Sequence, residues 1–140
     1  MTNKKTIQRV VAGGLLIENN KILLLKRSAK EKVFPNLWEL PSGKKEIKET
    51  TQQTLRREFK EETGLDVVCL NPISVFDYTI KKPDEIRETT QINFLVKFSP
   101  GKKHTIKISQ EHSRYKWVGL TDLDKLYISN KTRQIIKKVL

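Results

Sequence analysis

The chain has 140 residues and a formal net charge of +12 at pH 7, which fits one domain over 1–140 with an ordinary core. Its single cysteine, Cys69, excludes a disulfide framework and a cysteine zinc cluster. The longest apolar stretch near the N-terminus, Val10 to Ile17, is too short for a span and carries two glycines, so no membrane segment and a cytoplasmic, reducing location are expected.

In chain order, Ile7 to Ile17 reads as a strand, Asn19 and Asn20 as a hairpin turn, and Lys21 to Arg27 as a buried strand. A polar loop follows from Ser28 to Asn36. Pro41, Ser42 and Gly43 read as a tight turn entering a loop. Thr50 and Gln53 have the spacing of a capping box and Gly64 suits a left-handed stop, so a helix of about Thr50 to Thr63 is expected. Val67 to Tyr78 and Thr89 to Phe98 read as strands flanking a charged loop at Lys81 to Asp84. Lys107 to Ser109 and Tyr115 to Val118 read as short extended pieces, and Thr121 to Leu126 and Asn130 to Leu140 as capped helices. The order is mixed α and β, with no repeat or low-complexity linker.

The helix carries the most specific signal. At about 100° per residue, Glu58, Glu61 and Glu62 share one side, and Leu55 and Phe59 lie beside them with Glu62 nearest. One edge of an acidic face is therefore pressed toward the core. Three crowded carboxylates repel one another, and partial burial raises the cost unless a cation is present. Backbone carbonyls near Ser42 are placed to face them, and hard cations such as Mg²⁺ or Mn²⁺ take all-oxygen sites of this kind. A solvated helix face is the ordinary meaning of such a charge run. What sets this one apart is the wider spacing: Gly43, then Glu49, then Arg57-Glu58-Phe59-Lys60-Glu61-Glu62-Thr63-Gly64-Leu65, preceded by Trp38-Glu39-Leu40-Pro41-Ser42.

That pattern, residues 43–65, resembles the Nudix box of the Nudix hydrolases at every fixed position, and its MutT-like branch in particular. Ser42 stands where many members have glycine or alanine, and Lys48 where glycine is frequent; Lys48 is expected to alter the loop and leave the metal site intact. The resemblance implies an α/β fold, the Nudix α/β/α sandwich with a mixed central sheet. It also implies metal-dependent hydrolysis of a phosphoanhydride bond in a nucleoside diphosphate derivative, with nucleoside triphosphates or oxidised nucleotides favoured over ADP-ribose or dinucleoside polyphosphates. By the same resemblance Glu58, Glu61 and Glu62 would bind Mg²⁺, or Mn²⁺, with the Ser42 carbonyl, and Arg57 would pair with Glu49 to hold the carboxylates. Glu61 is the first choice of general base, with Glu58 and Glu111 as rivals.

Outside the box the residues speak less sharply. Arg27 sits where MutT-like members place a basic residue against substrate phosphate, or is simply solvated. Phe34, Trp38 and Tyr78 are candidates for the base of a nucleotide, although core packing is the plainer reading of Trp38 and Trp117. Glu111 resembles the acidic residue that many members bring from a loop opposite the helix. His104 and His112 form no histidine metal motif and are expected in exposed loops. The lysine excess would attract nucleotides or bind nucleic acid non-specifically, but its pairs are scattered and lack interleaved aromatics, which suits a solvated surface. An RNA-directed protein and a catalytically silent binding module are the other classes of reading. Nothing in the sequence decides between monomer and homodimer.

Overall fold

The structure, a computed structural model, describes residues 4–140. Its frame is a mixed sheet in the order β3 (Trp38–Glu39), β2 (Lys21–Arg27), β1 (Lys5–Glu18), β6 (Glu85–Phe98), β5 (Val67–Lys81), in which β4 (Ser42–Lys44) also pairs with β1, and β7 (His112–Val118) with β2. The long strand β1 (Lys5–Glu18) runs parallel to β6 (Glu85–Phe98) from Lys5 opposite Glu85 to Leu16 opposite Val96. The other strand pairs are antiparallel, and one isolated parallel bridge joins Trp38 to Ile128. Asn19 and Asn20, at φ 51° and 61°, join β1 to β2 (Lys21–Arg27). Two successive left-handed residues give the reverse turn whose twist matches a hairpin, and asparagine tolerates that region.

The partner of β1 on one side changes along its length. Only Ile17 and Glu18 pair with β2, whereas Val11 to Gly13 pair with β4 (Ser42–Lys44). This division places β4 beside the helix that follows it. That helix, α1 (Thr51–Thr63), is fixed at both ends as its sequence predicts. Gln53 N–H donates to the Thr50 hydroxyl at 3.1 Å and Thr50 N–H to the Gln53 side chain at 2.9 Å, while Gly64, at φ 75°, returns its N–H to the Lys60 carbonyl.

The two sheet faces carry separate apolar clusters. Leu55 and Phe59 of α1 pack on Ala12, Leu16, Leu23, Phe94 and Val96. On the other face Ile135 and Ile136 of α2 (Asn130–Val139) join Leu123, Leu15, Leu24 and Trp38. The result is helix, sheet, helix. Burying both faces is why β1 and β2 read as nearly continuous apolar runs rather than alternating ones.

Several expectations are corrected. Pro41 to Gly43 do not form a tight turn: Ser42 and Gly43 lie in β4 after the two-residue strand β3 (Trp38–Glu39). Lys107 to Ser109 form no strand; Lys107 and Ser109 donate their N–H groups to the carbonyls of Thr63 and Glu62 at 2.8 and 3.3 Å. The segment thus satisfies the open end of α1, where helix carbonyls lack intrahelical partners. Residues 120–125 form a 3-10 helix rather than an α-helix. The charged loop is present at residues 82–84, but β5 (Val67–Lys81) and β6 run up to it on both sides, beyond the expected strand ends at Tyr78 and Thr89, and Lys82 N–H meets the Glu85 carbonyl at 2.8 Å. His112 is buried at the start of β7 (His112–Val118), not exposed in a loop. His104 is exposed and stacks on Phe98. No helix among the described residues is long and apolar enough to cross a membrane.

Candidate active site

The C-terminal half of α1 presents its three glutamates in three different environments. Glu62 is only 4% exposed, and its Oε1 accepts a hydrogen bond from Ser42 N–H at 3.0 Å. Burial, reinforced by the charges of Glu39, Glu58 and Glu111, pushes its carboxyl up to about 10. Glu58 is half-buried, and desolvation raises its carboxyl against the opposing pull of Arg57, whose Nη1 donates to it at 2.8 Å. Glu61 is exposed and only loosely held, 3.4 Å from the same nitrogen. The progression from buried to free follows from the helical spacing, because Glu62 lies nearest the apolar stripe.

Arg57 organises this face. Its Nε and Nη2 grip Glu49 at 2.6 and 2.9 Å, and Nη2 also donates to the Lys44 carbonyl at 3.1 Å. A two-pronged contact fixes the guanidinium plane as well as its position. The grip, with a further N–H from Glu46, lowers the Glu49 carboxyl to about 2. The expected Glu49–Arg57 pair is therefore present, and it ties the loop after β4 to the helix.

Gly43 is required for closeness rather than for a turn. A side-chain carbon there would run into the carboxylate of Glu58, so only glycine lets β4 lie against that residue. Lys48 explains the other departure from the box: its φ is 71°, in the left-handed region that glycine occupies without strain.

The opposite wall comes from β2, β3 and β7. Arg27 donates from Nε to the Val33 carbonyl at 2.9 Å and from Nη1 to Glu39 at 3.2 Å, with Glu31 at 3.6 Å, so it also fastens the 28–36 loop. Glu39 accepts a second bond from His112 Nε2 at 2.8 Å. Glu111 is exposed; a carboxylate oxygen of it, one of Glu62 and a ring nitrogen of His112 all lie within 4.8 Å of one another. Sequence reading missed Glu39 and His112. For Glu39 the signal was alternation: Trp38 enters the core, which turns Glu39 to the other face of its short strand.

The remaining candidates are dispersed. Trp38 is 7% exposed inside the core, so packing replaces base stacking as its role. Phe34 is 52% exposed, at a left-handed φ of 47°. Tyr78 is half-buried on β5, in register with Thr89 and, through it, with Arg9 of β1, and it borders a groove of about 420 Å³ across β1, β6 and β5.

The donor set suits a divalent cation: Glu62, Glu111 and His112 bring one ligand atom each within 4.8 Å of one another, and Glu58 lies near enough to Glu61 and Glu111 for their charges to add to the rise of its carboxyl.

This architecture and cluster define a family. The NUDIX domain model matches residues 7–139, and the chain belongs to that family. It is 32% identical to a nucleoside triphosphatase NudI of Klebsiella pneumoniae (strain 342) over 130 residues, 90% of this chain and 92% of that protein. It is 33% identical to an 8-oxo-dGTP diphosphatase of Buchnera aphidicola subsp. Schizaphis graminum over 110 residues, 79% and 76% of the two chains. Among solved structures, a MutT NUDIX hydrolase from Burkholderia pseudomallei superposes with a TM-score of 0.76 at 24% identity, covering 96% of this chain and 99% of that one. A MutT protein from Methanosarcina mazei Go1 gives 0.71 at 24% identity over 99% and 95%. The expected α/β/α sandwich is thereby established.

Proposed function

We propose that the protein is a Nudix pyrophosphohydrolase that converts a nucleoside triphosphate, normal or oxidised, to the monophosphate and pyrophosphate. The observation that carries this reading is the graded carboxylate face Glu58-Glu61-Glu62 held by the Glu49–Arg57 pair. The two relatives, a nucleoside triphosphatase and an 8-oxo-dGTP diphosphatase, support it.

Glu58, Glu61 and Glu62, with the Ser42 carbonyl, would hold Mg²⁺ or Mn²⁺. When bound, such a cation neutralises polyphosphate charge and acidifies water at the site. Water attacks phosphorus, the phosphoanhydride P–O bond breaks, pyrophosphate departs with the bond's electron pair, and the water's proton passes to a carboxylate. Glu61 is assigned that proton, because Glu58 is committed to Arg57 and Glu62 to Ser42, whereas Glu61 is exposed and weakly restrained. Glu111, across the cleft, is the alternative acceptor. Arg57 and Glu49 act as positioning residues. Arg27 is assigned to the phosphate end of the substrate, Phe34 and Tyr78 to the base end.

The test is release of phosphate or pyrophosphate, with Mg²⁺ or Mn²⁺, from a panel of nucleotides, ADP-ribose, dinucleoside polyphosphates and capped RNA. Cleavage of triphosphates to monophosphates, lowered about 10²-fold or more by Glu61→Gln, is the expected result. Inertness toward the whole panel would remove the enzyme reading.

A further inference from the structure

His112 is the feature of this site that the carboxylate pattern does not explain. It lies at the start of β7, 3% exposed, with its side chain fully enclosed. Its Nε2 lies 2.8 Å from Glu39 Oε2, an oxygen that also accepts from Arg27 Nη1 at 3.2 Å. Its Nδ1 is buried and has no hydrogen-bond partner. A neutral imidazole that gives its Nε2 proton to a carboxylate keeps a lone pair on Nδ1, and a lone pair sealed from water is costly unless something binds it.

The surroundings offer that something. A ring nitrogen of His112 and carboxylate oxygens of Glu62 and Glu111 lie mutually within 4.8 Å. Donors around one cation at about 2.1 Å are separated by roughly 3 to 4.2 Å, so small side-chain adjustments close the set. The carboxylate behind the ring is also the usual companion of a metal-bound histidine, since it fixes the tautomer and the ring plane. A histidine needed only for packing would require neither the acidic neighbours nor the idle nitrogen.

We infer that His112, oriented by Glu39, supplies a nitrogen ligand to a divalent cation shared with Glu62 and Glu111. The site is then a mixed nitrogen and oxygen one, and its preference moves from Mg²⁺ toward the first-row transition ions, of which Mn²⁺ gains least from an imidazole and is therefore the most stringent probe. The inference rests on the metal-dependent reading above, adding a ligand and a metal preference to it.

The experiment uses Mn²⁺ as the probe and pulsed EPR on the whole chain, which contains only two histidines. Wild-type protein is expected to show nitrogen modulation at the bound Mn²⁺ that changes to the ¹⁵N pattern when histidine is ¹⁵N-labelled. His104→Ala should keep that signal and His112→Gln should lose it. His112→Gln should also weaken Mn²⁺ binding about 10-fold or more while leaving Mg²⁺ binding nearly unchanged, and Glu39→Gln should weaken Mn²⁺ binding with the nitrogen signal retained. Because the labelling comparison needs no substitution, a variant that fails to fold does not obscure the result. A wild-type spectrum without histidine nitrogen, whether Mn²⁺ binds through oxygen alone or does not bind, overturns the inference. Hydrolysis assayed on the same samples separates the two readings: turnover with an oxygen-only spectrum defeats the nitrogen ligand alone, and a nitrogen-bound ion without turnover defeats the enzyme reading alone.

Discussion

At the scale of single residues, the site depends on small allowances of space and backbone freedom. Gly43 leaves room for the Glu58 carboxylate, and a methyl group would displace it. Gly43→Ala should therefore lower kcat about 10²-fold, as expected for a misplacement on the order of 1 Å, with a smaller change in thermal midpoint. Kinetics and melting measured on one preparation check this. Lys48 carries a backbone penalty of its own, since L-residues in the left-handed region cost about 1–2 kcal/mol. Lys48→Gly should recover about 1 kcal/mol of stability after the extra unfolded-state entropy of glycine is deducted, visible as a higher denaturant midpoint with kcat unchanged. Glu49 gives the pH dependence. Its carboxyl is lowered from 4.5 to about 2 by Arg57, so the folded state binds this proton less readily than the unfolded chain. Its stabilising contribution is complete above about 4.5 and disappears as pH falls through about 2. Wild type and Glu49→Gln should differ in thermal midpoint near neutrality and converge across that window; a constant difference would mean that the ion pair is not the source.

At the scale of elements, what was legible is what each segment settles locally. Thr50, Gln53 and Gly64 fix both ends of α1 through bonds within a few residues of each other, and the helical spacing alone put Glu62 against the core. Asn19-Asn20 set the first hairpin in the same way. The misjudged segments take their shape from distant partners. Ser42 and Gly43 extend because they pair with Ala12 and Gly13, and 107–109 is placed by two carbonyls of α1. His112 is buried because β7 pairs with β2, which carries its ring toward Glu39, 73 positions away in the chain. Nothing near His112 in the sequence contains that information. The mutual dependence of α1 and the sheet also predicts a cost. Phe59 is fully buried against the backbone of Gly14, so Phe59→Ala should destabilise the fold by about 3–5 kcal/mol, read from urea unfolding. Since the same helix carries Glu58, Glu61 and Glu62, hydrolysis should fail at lower urea than in wild type, together with the helix signal.

At the scale of the whole molecule, charge is divided in a way that the total conceals. The chain carries +12 overall, yet Glu39, Glu58, Glu61, Glu62 and Glu111 form one acidic cluster whose charges act on one another. On the function proposed above, a polyphosphate approaching that cluster would meet local repulsion until a bound cation and Arg27 came within reach. The surrounding lysines and arginines act over a longer range, because fields from exposed charges persist to about 10 Å at 0.1 M salt and further when dilute. They can speed encounter while contributing little once substrate is seated. Raising KCl from about 25 to about 300 mM should consequently reduce kcat/KM for a triphosphate several-fold and leave kcat nearly constant, since screening acts on capture. The measurement is a salt series at fixed free Mg²⁺ or Mn²⁺, so that loss of metal does not imitate loss of steering. A fall in kcat equal to that in kcat/KM would assign the salt effect to the Arg57 and Glu49 network instead. An unchanged kcat/KM would mean that the basic surface is solvated decoration with no part in bringing anionic substrate to the carboxylates.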